Sequence, residues 1–448
     1  MLARAITAIV ALTFCLGNAP AYAQTATPAG TQRVDLPDTP VGVVVSEWLV
    51  AFNSGDSAQL GAYYRKYSVV RSLEAQMNRR RATGGFDLVS IEKSAPRAIE
   101  MVLKERTTGN LAYGVLELNK EGAPGFRLSY VISVPPGGSV DDFKIDAAAR
   151  ARVIEAAIAK LDSNYVFPDV AAKMAASVRG RLTRGEYDDV TNGLSFAMLL
   201  TEQFQEVSKD KHLRVNFSAQ RIPDRPANAR PDSAARERFR SQLLADNCGF
   251  VRSEQLPGNI GYLKFNFFAD PDICGATATS AMSTLADVDA LIIDLRENGG
   301  GSPDMVAYVS SYLFSKRTHL NNLWTRRTNE TNEFWTRPEL PGKKVRDDVP
   351  VYVLTSSRTF SGAEEFSYNL KNLKRATLIG ETTGGGAHPV SGHKIDEHFM
   401  IGVPFARAIN PYSKTNWEGT GVEPDVKVPA ADAMTTARKM ISDRKATP

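Results

Sequence analysis

A serine at the start of a helix, a histidine two residues beyond an aspartate, and two glycine triplets that each follow an apolar strand are the features of this 448-residue chain that could do chemistry. In Thr355-Ser356-Ser357-Arg358-Thr359-Phe360-Ser361-Gly362-Ala363-Glu364-Glu365-Phe366 an apolar run ends at Leu354, a polar turn follows, and Ser361 stands where a helix begins. Such a serine has two readings. Its hydroxyl can cap the helix by accepting an N–H two or three residues on. Alternatively it is a nucleophile beside helix N-terminal amides that stabilise an oxyanion. The loop Asp294-Leu295-Arg296-Glu297-Asn298-Gly299-Gly300-Gly301-Ser302-Pro303 lets backbone N–H groups approach a ligand without side-chain obstruction. A phosphate cradle is the competing explanation, but neither G-x-G-x-x-G nor G-x-x-x-x-G-K-[ST] is present. A third loop, Gly380-Glu381-Thr382-Thr383-Gly384-Gly385-Gly386-Ala387-His388-Pro389, again follows a strand. Histidine suits proton transfer because its unperturbed pKa of about 6.5 lets it accept and return a proton near neutrality. His212 is one candidate, although a lone histidine more often serves structure. His388, His393 and His398 read as structural, His319 as solvated, and Glu364 and Glu365 as complements to the dipole of the helix they open.

These loops need a frame. Strand patterns at Ile260–Phe268, Ala290–Leu295, Val349–Leu354 and Ala376–Ile379 alternate with helical patterns at about 276–285, 303–314 and 361–373. Continuous apolar strands separated by helices of this length predict a buried, mostly parallel sheet. The polar segment 318–348, carrying Trp324 and Trp335, is long for a structureless loop and reads as a lid or substrate-facing insertion. Ahead of this core, Asp146 can cap a helix, further helical segments cover about 169–183 and 190–207, and a strand begins at Leu213. Residues 222–240 read as a surface loop leading into a short helix.

Towards the N-terminus, helical spacing from Val41 to Phe52 stops at Asn53-Ser54-Gly55, and Asp56 can cap a second helix through about Tyr67. The period then changes to two, with strands at Phe86–Glu92, Ala98–Arg106, Leu111–Asn119 and Phe126–Val134. Two helices and a four-strand meander over 39–138 make an α+β domain that resembles the cystatin-like fold of the nuclear-transport-factor-two superfamily. It reads as a structural or docking accessory, with a protein as candidate partner. Pro135-Pro136-Gly137-Gly138 is the linker.

The runs D-L-R-x-N-x-G-G, T-S-x-x-T-x-S-G-A-E-E-F and G-E-x-T-x-G-G-G, followed by Trp417-Glu418-Gly419-Thr420-Gly421-Val422-Glu423-Pro424-Asp425, resemble the tail-specific (C-terminal processing) serine peptidase superfamily. The likeness is to the branch of the interphotoreceptor retinoid-binding protein and the tricorn core. It covers roughly 145–430 and implies a helical segment over 145–220, an α/β crotonase-like core over 250–430, and a C-terminal helix or tail over 431–448. The processing-protease branch resembles a Ser–Lys pair, but here Thr383-Gly384-Gly385-Gly386 offers no lysine. The other branch uses histidine, and Asp210-Lys211-His212 matches its D-x-H motif. By that resemblance Ser361 is the nucleophile, His212 the general base and Glu418 the group that orients the base or its hydrogen-bond network. Gly362 and either Gly299 or Gly300 would supply oxyanion amides. A serine precedes the histidine in the tricorn-type site and Lys211 stands here instead, so Asp210 is an alternative orienting residue. No PDZ-like insertion separates His212 from Ile260. The implied activity is hydrolysis of unfolded or short peptides with no cofactor or metal. A non-catalytic carrier of an apolar small ligand and a small-ester hydrolase are the alternatives.

Composition narrows the classes further. The chain is 43% hydrophobic and 23% charged, with 33 glycines and 24 prolines, which excludes multi-spanning membrane, collagenous and largely disordered proteins. Its 54 basic and 50 acidic residues leave a net charge of +4 without a clustered basic footprint, so no nucleic-acid partner is expected. Arg4, the apolar run to Leu16 and Ala21-Tyr22-Ala23 have the order of a signal peptide over 1–23, with a flexible lead-in over 24–38. Export to the periplasm or medium is therefore expected, with no membrane segment left after cleavage. It leaves Cys248 and Cys274, which in an oxidising compartment would form one bridge or remain two buried thiols.

Overall fold

A computed structural model describes residues 34–69, 71–224 and 233–446. The signal peptide expected over 1–23, and the lead-in up to residue 33, lie outside the described residues.

The first domain opens with α1 (Pro40–Ser54), α2 (Ser57–Lys66) and α3 (Leu73–Thr83). Gly55, at φ 73°, ends α1 by returning its N–H to the Phe52 carbonyl, and the Asp56 carboxylate caps α2 at Ala58. Two helices were expected and three form. The third escapes periodicity because Leu73-Glu-Ala-Gln-Met-Asn-Arg-Arg-Arg-Ala-Thr83 buries only Thr83, and its one local signal is the Ser72 cap on the Ala75 N–H. The strands β1 (Phe86–Ala95), β2 (Ala98–Glu105), β3 (Leu111–Leu118) and β4 (Phe126–Ser133) pair in chain order as an antiparallel meander. Strand alternation sorts the two faces. Ile99, Met101 and Leu103 pack on Val41, Val45 and Phe52, whereas Val102, Tyr113 and Val115 pack on Phe143 and reach Met198 and Phe217 of the next segment.

That segment holds α4 (Ala147–Asn164), α5 (Pro168–Thr183) and α6 (Gly193–Ser208), capped at its start by Asp146 and centred on Ile154, Ile158, Leu161, Phe196 and Phe204. Lys209, in the left-handed region at φ 58°, ends α6 and turns the chain into β5 (Arg214–Phe217). Asp210 and His212 lie in this turn.

The remainder runs α7 (Ser233–Ala245), β6 (Phe250–Leu256), β7 (Ile260–Phe265), α8 (Pro271–Thr284), β8 (Ala290–Asp294), α9 (Pro303–Ser311), β9 (His319–Thr325), β10 (Glu330–Trp335), β11 (Val351–Thr355), α10 (Gly362–Asn372), β12 (Ala376–Gly380), β13 (Val390–Lys394), β14 (Phe399–Pro404), β15 (Ala406–Ile409), β16 (Val426–Lys427) and α11 (Ala433–Ala446). The six-stranded sheet has the order β16-β12-β11-β8-β7-β6, parallel except for β6. Successive residues of β8 serve opposite layers. Leu291 and Ile293 pack with Met282, Met305 and Phe366 from α8, α9 and α10, whereas Ile292 packs with Ala437 and Ile441 of α11. Burial on both faces explains why these strands are apolar throughout.

The segment 318–348, expected as a lid or substrate-facing insertion, contains the β9–β10 hairpin, and β9 also pairs with β15. Here His319 stacks on Trp335 at 4.1 Å rather than standing free in solvent. β5 pairs with β14, tying the helical segment to the core. Cys248 and Cys274 form a disulfide with their Cα atoms 5.8 Å apart. Among the described residues no helix is long and apolar enough to cross a membrane.

Candidate active site

Ser361 sits in the turn between β11 and α10. The turn is stitched to the loop after β8 by hydrogen bonds from the Ser356 and Thr359 hydroxyls to the carbonyls of Arg296 and Leu295. Ser361 itself is held at φ 54°, ψ −120°, a conformation that costs a non-glycine residue roughly 1–3 kcal/mol and persists only where surroundings enforce it. The enforcing group is Glu364. Its carboxylate accepts the N–H of Ser361 at 2.8 Å and also those of Gly385 at 2.6 Å and Gly386 at 2.8 Å, with the Thr383 hydroxyl as a fourth donor. Burial raises its pKa and these hydrogen bonds oppose the rise. A residue read from sequence as a dipole complement thus locks the serine turn to the third glycine loop.

Glu365 points the other way, into the core, where its Oε1 has no partner and burial pushes its pKa up to about 8. A carboxyl with a folded pKa above its unfolded value adds stability below about pH 4.5 and loses it as the pH rises through 8. Glu365→Gln is therefore expected to be more stable than wild type at pH 8 and above, by a margin on the order of a few kcal/mol, with the gap closing near pH 4.5. Thermal melts of both proteins across this range would expose the error if the gap stayed constant.

The glycine amides divide differently from expectation. The Gly299 N–H is bound to the Asn266 carbonyl at 3.2 Å, and the Gly300 N–H to Asn298 Oδ1 at 2.9 Å, so both alternatives named beside Gly362 as the second oxyanion donor are already engaged. Among the described residues the amides of Gly362 and Gly301 have no acceptor, and a Cβ on Gly362 would stand 3.0 Å from the Gly301 nitrogen. Gly300 serves by having no side chain. At φ 100° a Cβ there would lie 2.6 Å from the Gly362 nitrogen and 2.7 Å from both the Phe360 oxygen and the Ser361 Cβ. Gly300→Ala must displace the serine turn, and a displacement near 1 Å is expected to lower kcat about 100-fold or more. An alanine variant with wild-type kcat on a peptide substrate would contradict this packing.

His212 comes from the turn after α6, yet its ring packs on Phe360, the residue before Ser361, at 4.6 Å between centroids. The ring also fills the space beside Gly386, where a Cβ would come within 2.6 Å of His212 Cε1. The long-range pairing of β5 with β14 and the bare glycine loop thus bring the imidazole beside the serine turn. His212 and Ser361 make no hydrogen bond to each other, and His212 Nδ1 is buried without a partner. Burial pushes the His212 pKa down to about 4, with His388 and Arg214 acting in the same direction and Asp210 opposing.

Neither acidic residue expected to orient His212 touches its ring. Asp210 Oδ1 accepts the backbone N–H of His212 at 3.0 Å, and its Oδ2 lies 2.7 Å from Nδ1 of His388. Glu418 Oε2 accepts the Ala387 N–H at 2.5 Å and lies 3.4 Å from the same His388 nitrogen. Glu418 therefore reaches the D-x-H turn only through His388 and Asp210. His388, read as structural, is the centre of this cluster, buried and edge-on to Phe167 at 5.5 Å. Burial, then the neighbouring Asp210 charge, raise Glu418 to about 7, opposed by His388. The donor atoms of Asp210, His388 and Glu418 lie within 4.8 Å of one another, a spacing one metal ion would accept, but 2.7 Å between His388 and Asp210 is the length of a charge-assisted hydrogen bond. Lys211, at the position of the tricorn-type serine, spans instead to the Gly384 carbonyl at 2.5 Å. Spacing alone gave no signal for His388, because its partners lie 178 and 30 residues away.

Residues 259–428 match Peptidase family S41, and residues 147–244 match the N-terminal domain of peptidase S41 in eukaryotic IRBP. The chain belongs to peptidase family S41. Asp210 and His212 fall in the second matched stretch and Ser361, His388, Glu418 and the glycine loops in the first, so the candidate site draws on both. Carboxyl-terminal-processing peptidase 2 of the Arabidopsis thaliana chloroplast is 26% identical over 183 residues, which cover 39% of this chain and 34% of that protein. The chain thus spans about a third of that relative's length. Among solved structures, the photosystem II D1 C-terminal processing protease is 17% identical, with a TM-score of 0.40, over 63% of this chain and 93% of that one. The tricorn protease is 13% identical, with a TM-score of 0.42, over 84% of this chain and 44% of that one.

Proposed function

We propose that this S41 chain is an exported serine peptidase that cleaves unfolded or short peptides through an acyl-enzyme on Ser361, with His212 as general base. The observation that carries the reading is the packing of the His212 imidazole against Phe360 and Gly386, beside a strained Ser361 turn flanked by two unengaged glycine amides. In the first step Ser361 Oγ bonds to the scissile carbonyl carbon while its proton passes to a ring nitrogen of His212. The carbonyl oxygen gains the negative charge, and the amides of Gly362 and Gly301 are the donors assigned to it. Collapse breaks the C–N bond, and the His212 proton leaves with the amine. Water then attacks the acyl carbon by the same route, returning a proton to Ser361 and releasing the carboxylate product. A base with a pKa near 4 is neutral at physiological pH, hence ready to accept. The Asp210–His388–Glu418 cluster would fix the backbone of the D-x-H turn from behind. Export rests on the signal-like leader and on the Cys248–Cys274 bridge, a link that persists in oxidising compartments. The test is incubation with a fluorophosphonate and with a disordered protein substrate. A single adduct on the peptide containing Ser361, together with released fragments, is expected. Absence of both would favour the ligand-carrier alternative, and an adduct with ester but no peptide turnover would favour the esterase.

A further inference from the structure

The disulfide lies closer to the catalytic loops than its place in the chain suggests. Cys248 sits in the turn between α7 and β6, and Cys274 at the start of α8. Asn247, Cys248 and Gly249 stand at φ 48°, 56° and 79°, three successive residues in the left-handed region. Asparagine and glycine accept that region readily and cysteine does not, so contacts outside the turn must hold it. Two are present. Asn247 Nδ2 donates to the Phe250 carbonyl at 2.7 Å, and the covalent bond from Cys248 reaches α8. Both cysteines are fully buried and share one core cluster with Phe268 and Ala363.

Gly249 carries the constraint onward. Its carbonyl accepts the N–H of Asn266 at 2.9 Å, and a Cβ there would stand 3.2 Å from the Phe267 Cβ, so the turn lies against the chain that follows β7. That short segment, 266–268, is the bed of the glycine triplet. The Asn266 carbonyl accepts the Gly299 N–H at 3.2 Å, and the Phe268 N–H donates to the Gly300 carbonyl at 2.8 Å. The Phe268 carbonyl accepts the Ser302 N–H at 2.7 Å. Gly301 is pressed so close that a Cβ would lie 2.2 Å from the Phe268 oxygen. One short segment therefore separates the bridge from the unengaged Gly301 amide. Two thiols cannot remain at bonding distance, so without the bridge the turn and α8 must part, and the bed shifts with them.

We propose that the Cys248–Cys274 bridge is a positioning element of the peptidase site: it clamps the 247–249 turn to α8 and, through segment 266–268, sets the Gly301 amide that receives the oxyanion. This rests on the peptidase reading above. The bond forms when an external disulfide takes two electrons and two protons from the two thiols and leaves as two thiols. Because both sulfurs are buried, exchange reaches them only in the unfolded chain, so the bridge is set as the chain folds rather than toggled afterwards. A chain folded under reducing conditions is expected to be folded but slow.

The test compares the full chain refolded with oxidised glutathione, the same chain refolded with excess dithiothreitol, and the Cys248→Ala/Cys274→Ala variant, all assayed well below their melting temperatures. Thiol counts after denaturation check the bridge. Both bridge-free forms should show kcat on a peptide at least about tenfold lower with KM within about threefold, since a misplacement near 1 Å costs about 100-fold. Amide exchange at Gly299, Gly300 and Ser302 should quicken while that of β11 stays slow. Activity of the double variant should be the same after either refolding, whereas that of wild type should follow the redox condition. Gly249→Ala, which keeps the bridge but presses on Phe267, should lower kcat several-fold with KM unchanged, and it decides the matter if the bridge-free forms do not fold. A folded bridge-free chain with kcat within about twofold of the oxidised chain overturns the proposal, as does unchanged exchange at those three amides or Gly249→Ala with wild-type kcat. If the oxidised chain neither cleaves peptide nor reacts with a fluorophosphonate, the peptidase reading fails instead, and the exchange comparison alone then judges the clamp.

Discussion

Ser361→Ala is expected to lower kcat on a peptide substrate by roughly 10⁴- to 10⁶-fold and to abolish fluorophosphonate labelling. The size follows from what remains. Without the oxygen nucleophile no acyl-enzyme forms, and only substrate binding and the glycine amides are left to stabilise the transition state. Folding should survive, because the bond that holds this turn runs from the Ser361 backbone N–H to Glu364 and does not involve the hydroxyl. Alanine meets the same strained φ of 54° as serine, so stability is expected to stay within about 1 kcal/mol of wild type. Rate and melting temperature measured on one preparation separate the two effects. Substantial turnover by a folded Ser361→Ala protein would end the assignment of Ser361 as nucleophile.

His212→Ala is expected to reduce kcat on the order of 10⁴-fold, and the same substitution should slow fluorophosphonate labelling. The diagnostic readout is pH. Because burial depresses His212 to about 4, the acid limb of wild-type kcat/KM should fall near pH 4 rather than near the ordinary 6.5. A further inflection near pH 7 should follow Glu418 and disappear in Glu418→Gln. The stability sign is opposite to the usual histidine case. The folded pKa lies below the unfolded value, so between 6.5 and 4 the unfolded chain takes up a proton that the folded one refuses. The contribution is complete above pH 6.5 and is lost as pH falls through 4, amounting to up to roughly 3 kcal/mol. His212→Ala should therefore lose less stability than wild type on acidification. An acid limb that persists at pH 4 in the alanine variant would mean that another group is the base.

Local signals carried a large part of the architecture. Caps at Asp56 and Asp146, the Gly55 stop and the apolar strands around residues 260, 290, 351 and 376 are all written within a few residues of where they act. Elements with weak local signals were less legible. α3 is too polar to show an apolar stripe, and the β9–β10 hairpin carries its partner preference in β15, more than 70 residues away. The site divides in the same way. Ser361 is marked by the end of an apolar strand followed by a helix start, whereas the amides of Gly299 and Gly300 differ from those of Gly301 and Gly362 only in which acceptors the fold brings to them.

By itself the amino-acid sequence determined the serine turn, the glycine loops, the D-x-H turn and the family to which they belong, because each is a short stretch whose backbone preferences are settled by its own residues. Tertiary structure alone decided that His212 lies on Phe360, that Glu364 ties the serine turn to the glycine loop, that Glu418 meets His388 rather than His212, and that Cys248 meets Cys274. Those contacts depend on where distant chain segments cross. Crossing is set by which faces of the sheet and helices must be buried together, and no spacing between two residues encodes that.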